Sequence, residues 1–153
     1  MNPVPLVADA ALREQLRQRL AEWPVHAPQD AALRRAAVAL VVIEEGTGAA
    51  LPDLPVPAAW SLDAALLLTR RADTLRAHAG QWALPGGRID AREAGEEAAL
   101  RELREEVGLH LDPSAVLGRL DTYATRSGYA ITPVVVWAGA ARELHPDPNE
   151  VAS

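Results

Sequence analysis

The chain has 153 residues, a formal net charge of −6 and no cysteine. That length suits one domain able to bury about two-thirds of its unfolded surface, and the missing thiols exclude disulfides, thiolate metal sites and a cysteine nucleophile. The acidic balance argues against a broad nucleic-acid surface, which needs clustered positive charge. No apolar run approaches the roughly 18 residues of a membrane span, and Met1-Asn2-Pro3-Val4-Pro5 lacks the charged-then-apolar pattern of a signal peptide. A cytoplasmic protein with no membrane partner is expected, and nothing chooses between a monomer and a homodimer.

Taken in chain order, Leu12, Leu16 and Leu20 repeat every fourth residue, predicting an amphipathic helix over 10–22 that ends near Pro24. The aliphatic run from Ala36 to Ile43 reads as a buried strand. Proline and glycine between Gly46 and Pro57 read as an exposed loop. Ala64 to Thr69 is the next predicted strand. Ala94 to Val107 is rich in Ala, Glu, Leu and Arg without proline, which predicts a helix. Its apolar stripe is Ala99, Leu100, Leu103 and Val107, and Gly108 supplies the left-handed stop. Val116 to Thr125 and Ala130 to Trp137 read as strands joined by an Arg126-Ser127-Gly128 turn. The pattern is that of an α/β domain spanning 1–153.

The chemistry concentrates in the predicted second helix. Residues three and four apart share a helix face, so Glu102, Glu105 and Glu106 lie together. Carboxylates so placed repel, and a divalent cation turns that penalty into affinity. All-oxygen ligation favours Mg²⁺ or Mn²⁺. Glu96 and Glu97 are read as solvated surface groups.

From Gly87 to Leu109 the chain reads G-x5-E-x7-R-E-U-x-E-E-x-G-U, where U is aliphatic and the fixed polar positions are Glu93, Arg101, Glu102, Glu105 and Glu106. This resembles the signature of the Nudix hydrolases at every fixed position. The resemblance implies an α/β/α sandwich with a mixed sheet and a loop-helix-loop metal site. It implies hydrolysis of a nucleoside diphosphate linked to another group, by water attack at phosphorus. Glu105 and Glu106 would be metal ligands, Glu102 a further ligand or the base, and the Gly86 carbonyl would complete the shell. Glu93 and Arg101 would pair to hold the loop on the helix. Relatives continue beyond the point reached at Asn149-Glu150-Val151, so the C-terminal elements are expected to be truncated. Glu150 stands where some relatives carry an additional loop carboxylate, but is read as an exposed tail residue.

Just upstream, residues 67–87 resemble the extra motif of the coenzyme A pyrophosphatase branch, L-L-T-x-R-[SA]-x3-R-x3-G-x3-F-P-G-G, with Leu84 at the aromatic position. The expected reaction is cleavage of coenzyme A or acyl-CoA to 3′,5′-ADP and (acyl-)phosphopantetheine. Arg71 and Arg76 are expected to bind phosphate through guanidinium forks, and His78 to contact substrate or form a structural hydrogen bond. Leu84 is expected to face the core. The alternatives are NADH, ADP-ribose or a (d)NTP as substrate, or a nucleotide sensor without turnover. Tyr123, Tyr129 and Trp137 read as strand packing, and Trp82 as a candidate stacking residue.

Overall fold

The computed structural model describes residues 3–49 and 51–153. Helix α1 (Ala10–Glu22) starts where the Asp9 carboxylate accepts from the Leu12 amide at 2.9 Å and stops at extended Trp23. Strand β1 (Arg34–Gly46) is longer than the aliphatic run that announced it. Next come β2 (Ser61–Leu66), β3 (Thr69–Arg70), β4 (Trp82–Ala83) and β5 (Gly86–Arg88). Helix α2 (Gly95–Val107) precedes a 3₁₀ turn at Pro113–Ala115, then β6 (Val116–Arg119), β7 (Tyr123–Ala124) and β8 (Tyr129–Gly139).

The main sheet runs β2-β1-β8-β6, with β5 also pairing β1 and β7 also pairing β8. Only β1 and β8 are parallel; the other pairs are antiparallel, so the sheet is mixed. Side chains alternate along β1. Ala37, Ala39 and Val41 are fully buried against Ala98, Ala99 and Leu103 of α2. On the other face, Val42, Leu117 and Val135 are covered by Leu16 and Leu20 of α1. Helix, sheet, helix is the expected three-layer α/β/α arrangement. Leu103 anchors the α2 side with no solvent exposure, so truncating it to Ala costs roughly 2–5 kcal/mol.

The outer edge of β2 does not stand open. Val7 bridges Asp63, the Ala8 amide donates to the Leu62 carbonyl and the Ala64 amide to that of Leu6. This strap leads directly into α1, whose last turn reaches β6: Leu20 fills the space beside Gly118.

Several boundaries differ from expectation. The run Ala64–Thr69 is not one strand: β2 pairs β1, the chain breaks at Leu67–Leu68, and β3 pairs β4 in a separate two-stranded sheet. Val116–Thr125 likewise divides into β6 and β7. The short β4 and β5 had no sequence signal. The β7–β8 hairpin does turn through Arg126-Ser127-Gly128, closed by the Gly128 amide donating to the Thr125 carbonyl. Tyr129 and Trp137 pack as strand aromatics: Arg34 stacks on the Tyr129 ring at 4.4 Å, and Trp137 joins the α1-side cluster. No helix among the described residues is long and apolar enough to cross a membrane.

Candidate active site

The loop before α2 is tied to the helix by one guanidinium. Arg101 Nε and Nη2 donate to the two oxygens of Glu93 at 2.8 and 3.0 Å, and Nη2 also reaches the Arg88 carbonyl at 2.9 Å. Its remaining Nη1 donates to Glu102 Oε1 at 3.0 Å and Glu105 Oε2 at 3.2 Å. The Arg101 fork holds the Glu93 carboxyl below the usual carboxylate range, aided by the Asp90 amide. Of the glutamates read as solvated, Glu97 caps the helix start, accepting from the Ala94 amide at 2.9 Å, and Glu96 pairs with Arg119 at 3.8 Å.

Glu102 and Glu106 lie one turn apart and both look inward. Glu106 is 8% exposed, and its Oε1 accepts weakly from the Gly86 amide at 3.4 Å. Burial pushes its pKa up to about 8, with the Glu102 and Glu150 charges adding and the Gly86 amide and Arg71 opposing. Glu102 is also raised, again chiefly by burial, against the Arg101 hydrogen bond. Glu105 is more exposed and held by Arg101. Among the described residues, no three His, Asp or Glu side chains stand close enough together to enclose an ion as they are. The helix thus places Glu102, Glu105 and Glu106 on one side, while Arg101 draws Glu102 and Glu105 toward itself and Glu106 turns to Gly86.

A small cavity opens beside Glu106, lined by Thr69, Arg71, Leu84, Gly86, Glu106 and Glu150. Arg71 reaches it because β3 pairs β4 and the Arg71 amide donates to the Gln81 carbonyl. Leu84 is half-buried and lines this cavity; the expectation that it faces the core is corrected, because the chain turns there between β4 and β5. Arg76 is exposed on the 71–81 loop and does not line this cavity. His78 sits at φ 55° and its Nδ1 is 3.1 Å from Gln81 Oε1, a structural hydrogen bond within that loop.

Glu150 is exposed, as read from sequence, yet it is not loose. The carbonyls at the end of α2 lack helical partners, and the amides of His145 and Asp147 satisfy those of Val107 and Glu106 at 2.7 and 2.8 Å. The chain then runs antiparallel to β3: Val151 bridges Arg71, and the Ala72 amide donates to the Glu150 carbonyl. That path brings Glu150 to the cavity mouth. The only sequence signal was its place in the family pattern.

The hydrogen-bonded loop, acidic helix and mixed sheet match known proteins. Residues 54–152 match the model of the NUDIX domain. The chain belongs to the Nudix family. It is 47% identical over 88 residues to a protein named uncharacterized Nudix hydrolase NudL from Photorhabdus laumondii, covering 57% of this chain and 47% of that protein. The NudL of Yersinia enterocolitica is 41% identical over 98 residues, covering 63% of this chain and 50% of the relative. The chain therefore spans about half the length of the curated relatives it matches. Among solved structures, the Nudix hydrolase RenU of M. smegmatis superposes with TM-score 0.51 at 26% identity, over 84% of this chain and 74% of that one. A MutT/nudix family protein from Enterococcus faecalis gives TM-score 0.55 at 17% identity, over 93% and 53%, and speaks for the fold alone.

Proposed function

We propose that the protein is a metal-dependent pyrophosphohydrolase of a nucleoside diphosphate derivative, and that its substrate is coenzyme A or an acyl-CoA. The observation that carries this reading is the Glu106 carboxylate, buried beside the Gly86 amide in a cavity it shares with Glu150 and Arg71 and close enough to Glu102 to feel its charge. Inward carboxylates with pKa values raised by burial and mutual repulsion are under-compensated, and a hard dication fits that all-oxygen set. Glu102, Glu105, Glu106 and the Gly86 carbonyl would hold Mg²⁺ or Mn²⁺. When bound, the ion supplies polarisation of the phosphoryl oxygens and acidification of the attacking water.

The residues of the chain do the positioning. Arg101 and Glu93 fix the loop that carries Gly86 and Gly87 on α2. Arg71, which lines the same cavity as Glu106, offers a guanidinium fork to a diphosphate. Glu102, in the role of base, takes the proton from water as it attacks phosphorus and the bridging P–O bond breaks. The products are 3′,5′-ADP and (acyl-)phosphopantetheine. Arg76, exposed on the 71–81 loop, would meet the 3′-phosphate.

The test is a panel of coenzyme A, dephospho-coenzyme A, NADH, ADP-ribose and nucleotides incubated with Mg²⁺ or Mn²⁺, with products separated by chromatography. Coenzyme A should be cleaved faster than its dephospho form. Equal rates remove the 3′-phosphate argument, and binding without product under either metal favours a sensor.

A further inference from the structure

A second, larger cavity lies on the other side of the β3–β4 hairpin. It is a cleft of about 920 Å³ framed by the loop after β1, the end of β2, β4 and residues 141–144. That volume is within the range of small-molecule sites. Leu54, Leu66, Leu68 and Trp82 line it and remain 47–54% exposed. Large apolar groups left half-bare around one concavity mark a site that an apolar ligand completes. Leu67 and Leu144, which pack against the α2-side core, form its floor.

The polar groups of the cleft narrow the occupant. Its acidic residues are Glu44 and Glu45. Its arginine, Arg142, stacks on the Trp60 ring at 4.4 Å, and the Trp60 indole donates to Glu44 Oε2 at 2.5 Å. A phosphate would meet carboxylates there and a guanidinium already committed to a ring. An uncharged chain meets neither objection.

The cleft and the carboxylate cavity share a wall. Leu68 and Trp82 line the cleft, whereas their neighbours Thr69 and Ala83 line the carboxylate cavity; Ser153 and Val151 divide in the same way. Successive strand residues point to opposite faces, so the two cavities lie back to back across a single hairpin layer, and an extended ligand arm that rounds the hairpin edge reaches both. We propose that this cleft receives the far end of the non-nucleotide arm of the substrate and that this arm ends in a long, uncharged apolar chain. The inference rests on the reading of the carboxylate cavity as a diphosphate-cleaving site.

The experiment is a series of acyl-CoA thioesters from acetyl to dodecanoyl, assayed with Mn²⁺ below their micellar concentrations. The value of kcat/KM should rise at least about tenfold from acetyl to octanoyl, through a falling KM, well within what burial of the added methylenes allows. Leu68→Asp and Leu54→Asp, both at half-exposed positions, should flatten that rise toward a ratio near one. Melting temperatures confirm that each variant folds. In a Glu106→Gln background, dodecanoyl-CoA should also shift the tryptophan emission to the blue, since Trp60 and Trp82 wall the cleft. A flat series overturns the inference, as does a rise that both aspartates leave intact. A preference for a dinucleotide that Trp82→Ala abolishes overturns it too, because the cleft would then stack a base. Failure to cleave any thioester, free coenzyme A, NADH or ADP-ribose sinks the underlying reading instead.

Discussion

The Glu102 carboxylate occupies the space in which a Cβ on Gly87 would stand. A methyl group there would overlap both Oε1 and Cδ of Glu102. The obstacle is the far end of a flexible side chain, so Gly87→Ala should fold and displace Glu102 rather than the loop. Shifts of about 1 Å in a positioned group cost on the order of a hundredfold in turnover. We expect a loss of that order in kcat with little change in melting temperature, measured by steady-state kinetics and calorimetry.

Glu106→Gln preserves shape and removes a buried charge. It should keep the fold, lower turnover by orders of magnitude and weaken Mg²⁺ or Mn²⁺ binding, because an amide is a poorer ligand for a hard cation. Isothermal titration with metal, beside activity, checks both parts. Near wild-type turnover would contradict the role given to Glu106.

The same carboxylate predicts how pH acts on the metal-free protein. Its folded pKa, about 8, lies above the ordinary value of 4.5. Between those values the folded state holds a proton that the unfolded state has released, so stability falls as pH rises through the window. Glu102 is shifted in the same direction and adds to the fall. Glu93 is lowered, so its contribution is present above its unfolded pKa and disappears only on further acidification. Thermal melts in chelator should therefore decline from about pH 5 toward pH 8–9, and added Mn²⁺ should flatten the decline. A flat metal-free profile would show that Glu106 does not titrate as described.

Arg101 is the least replaceable residue of the loop. Alanine leaves Glu93 and the Arg88 carbonyl without their partner, and the loss of charge-assisted hydrogen bonds at a site this shielded should cost roughly 1–3 kcal/mol. Lysine should recover little, because a point charge cannot reproduce the two-oxygen grip on Glu93. Urea unfolding of both variants gives the comparison.

Arg71 and Arg76 came from one motif but stand in different places. Arg71→Ala should raise KM for every diphosphate in the panel, since it faces the cavity. Arg76→Ala should raise KM with modest change in kcat, and mainly for coenzyme A over its dephospho form. Equal effects on both substrates would leave Arg76 without a 3′-phosphate role.

Local chemistry made α1, α2 and the loop between β5 and α2 legible in advance. The Leu12–Leu20 stripe, Gly108 and the Glu93–Arg101 spacing act within a few turns of chain, and each sits where the residues imply. What escaped was decided by partners distant in sequence. Leu67–Leu68 breaks a continuous aliphatic run because β2 and β3 join different sheets, a choice that composition does not encode. Strands β4 and β5 are too short to show a period of two. Leu84 lines a cavity because the chain turns between two such strands. The sequence placed Glu102, Glu105 and Glu106 on one face, but not the reach of Arg101 that separates them. Glu150 looked like tail until its neighbours bonded to α2 and β3.

The strap at Leu6–Ala8 and the contact of Leu20 with Gly118 fasten the two ends of α1 to the opposite margins of the main sheet. A helix of 13 residues is about 20 Å long, ample to cross four strands spaced about 4.8 Å apart. It works as a diagonal brace, so the strands beneath it cannot fan apart without detaching one end. Whatever breathing substrate entry demands is thereby pushed to the opposite layer, among the loops that surround α2 and the β3–β4 hairpin.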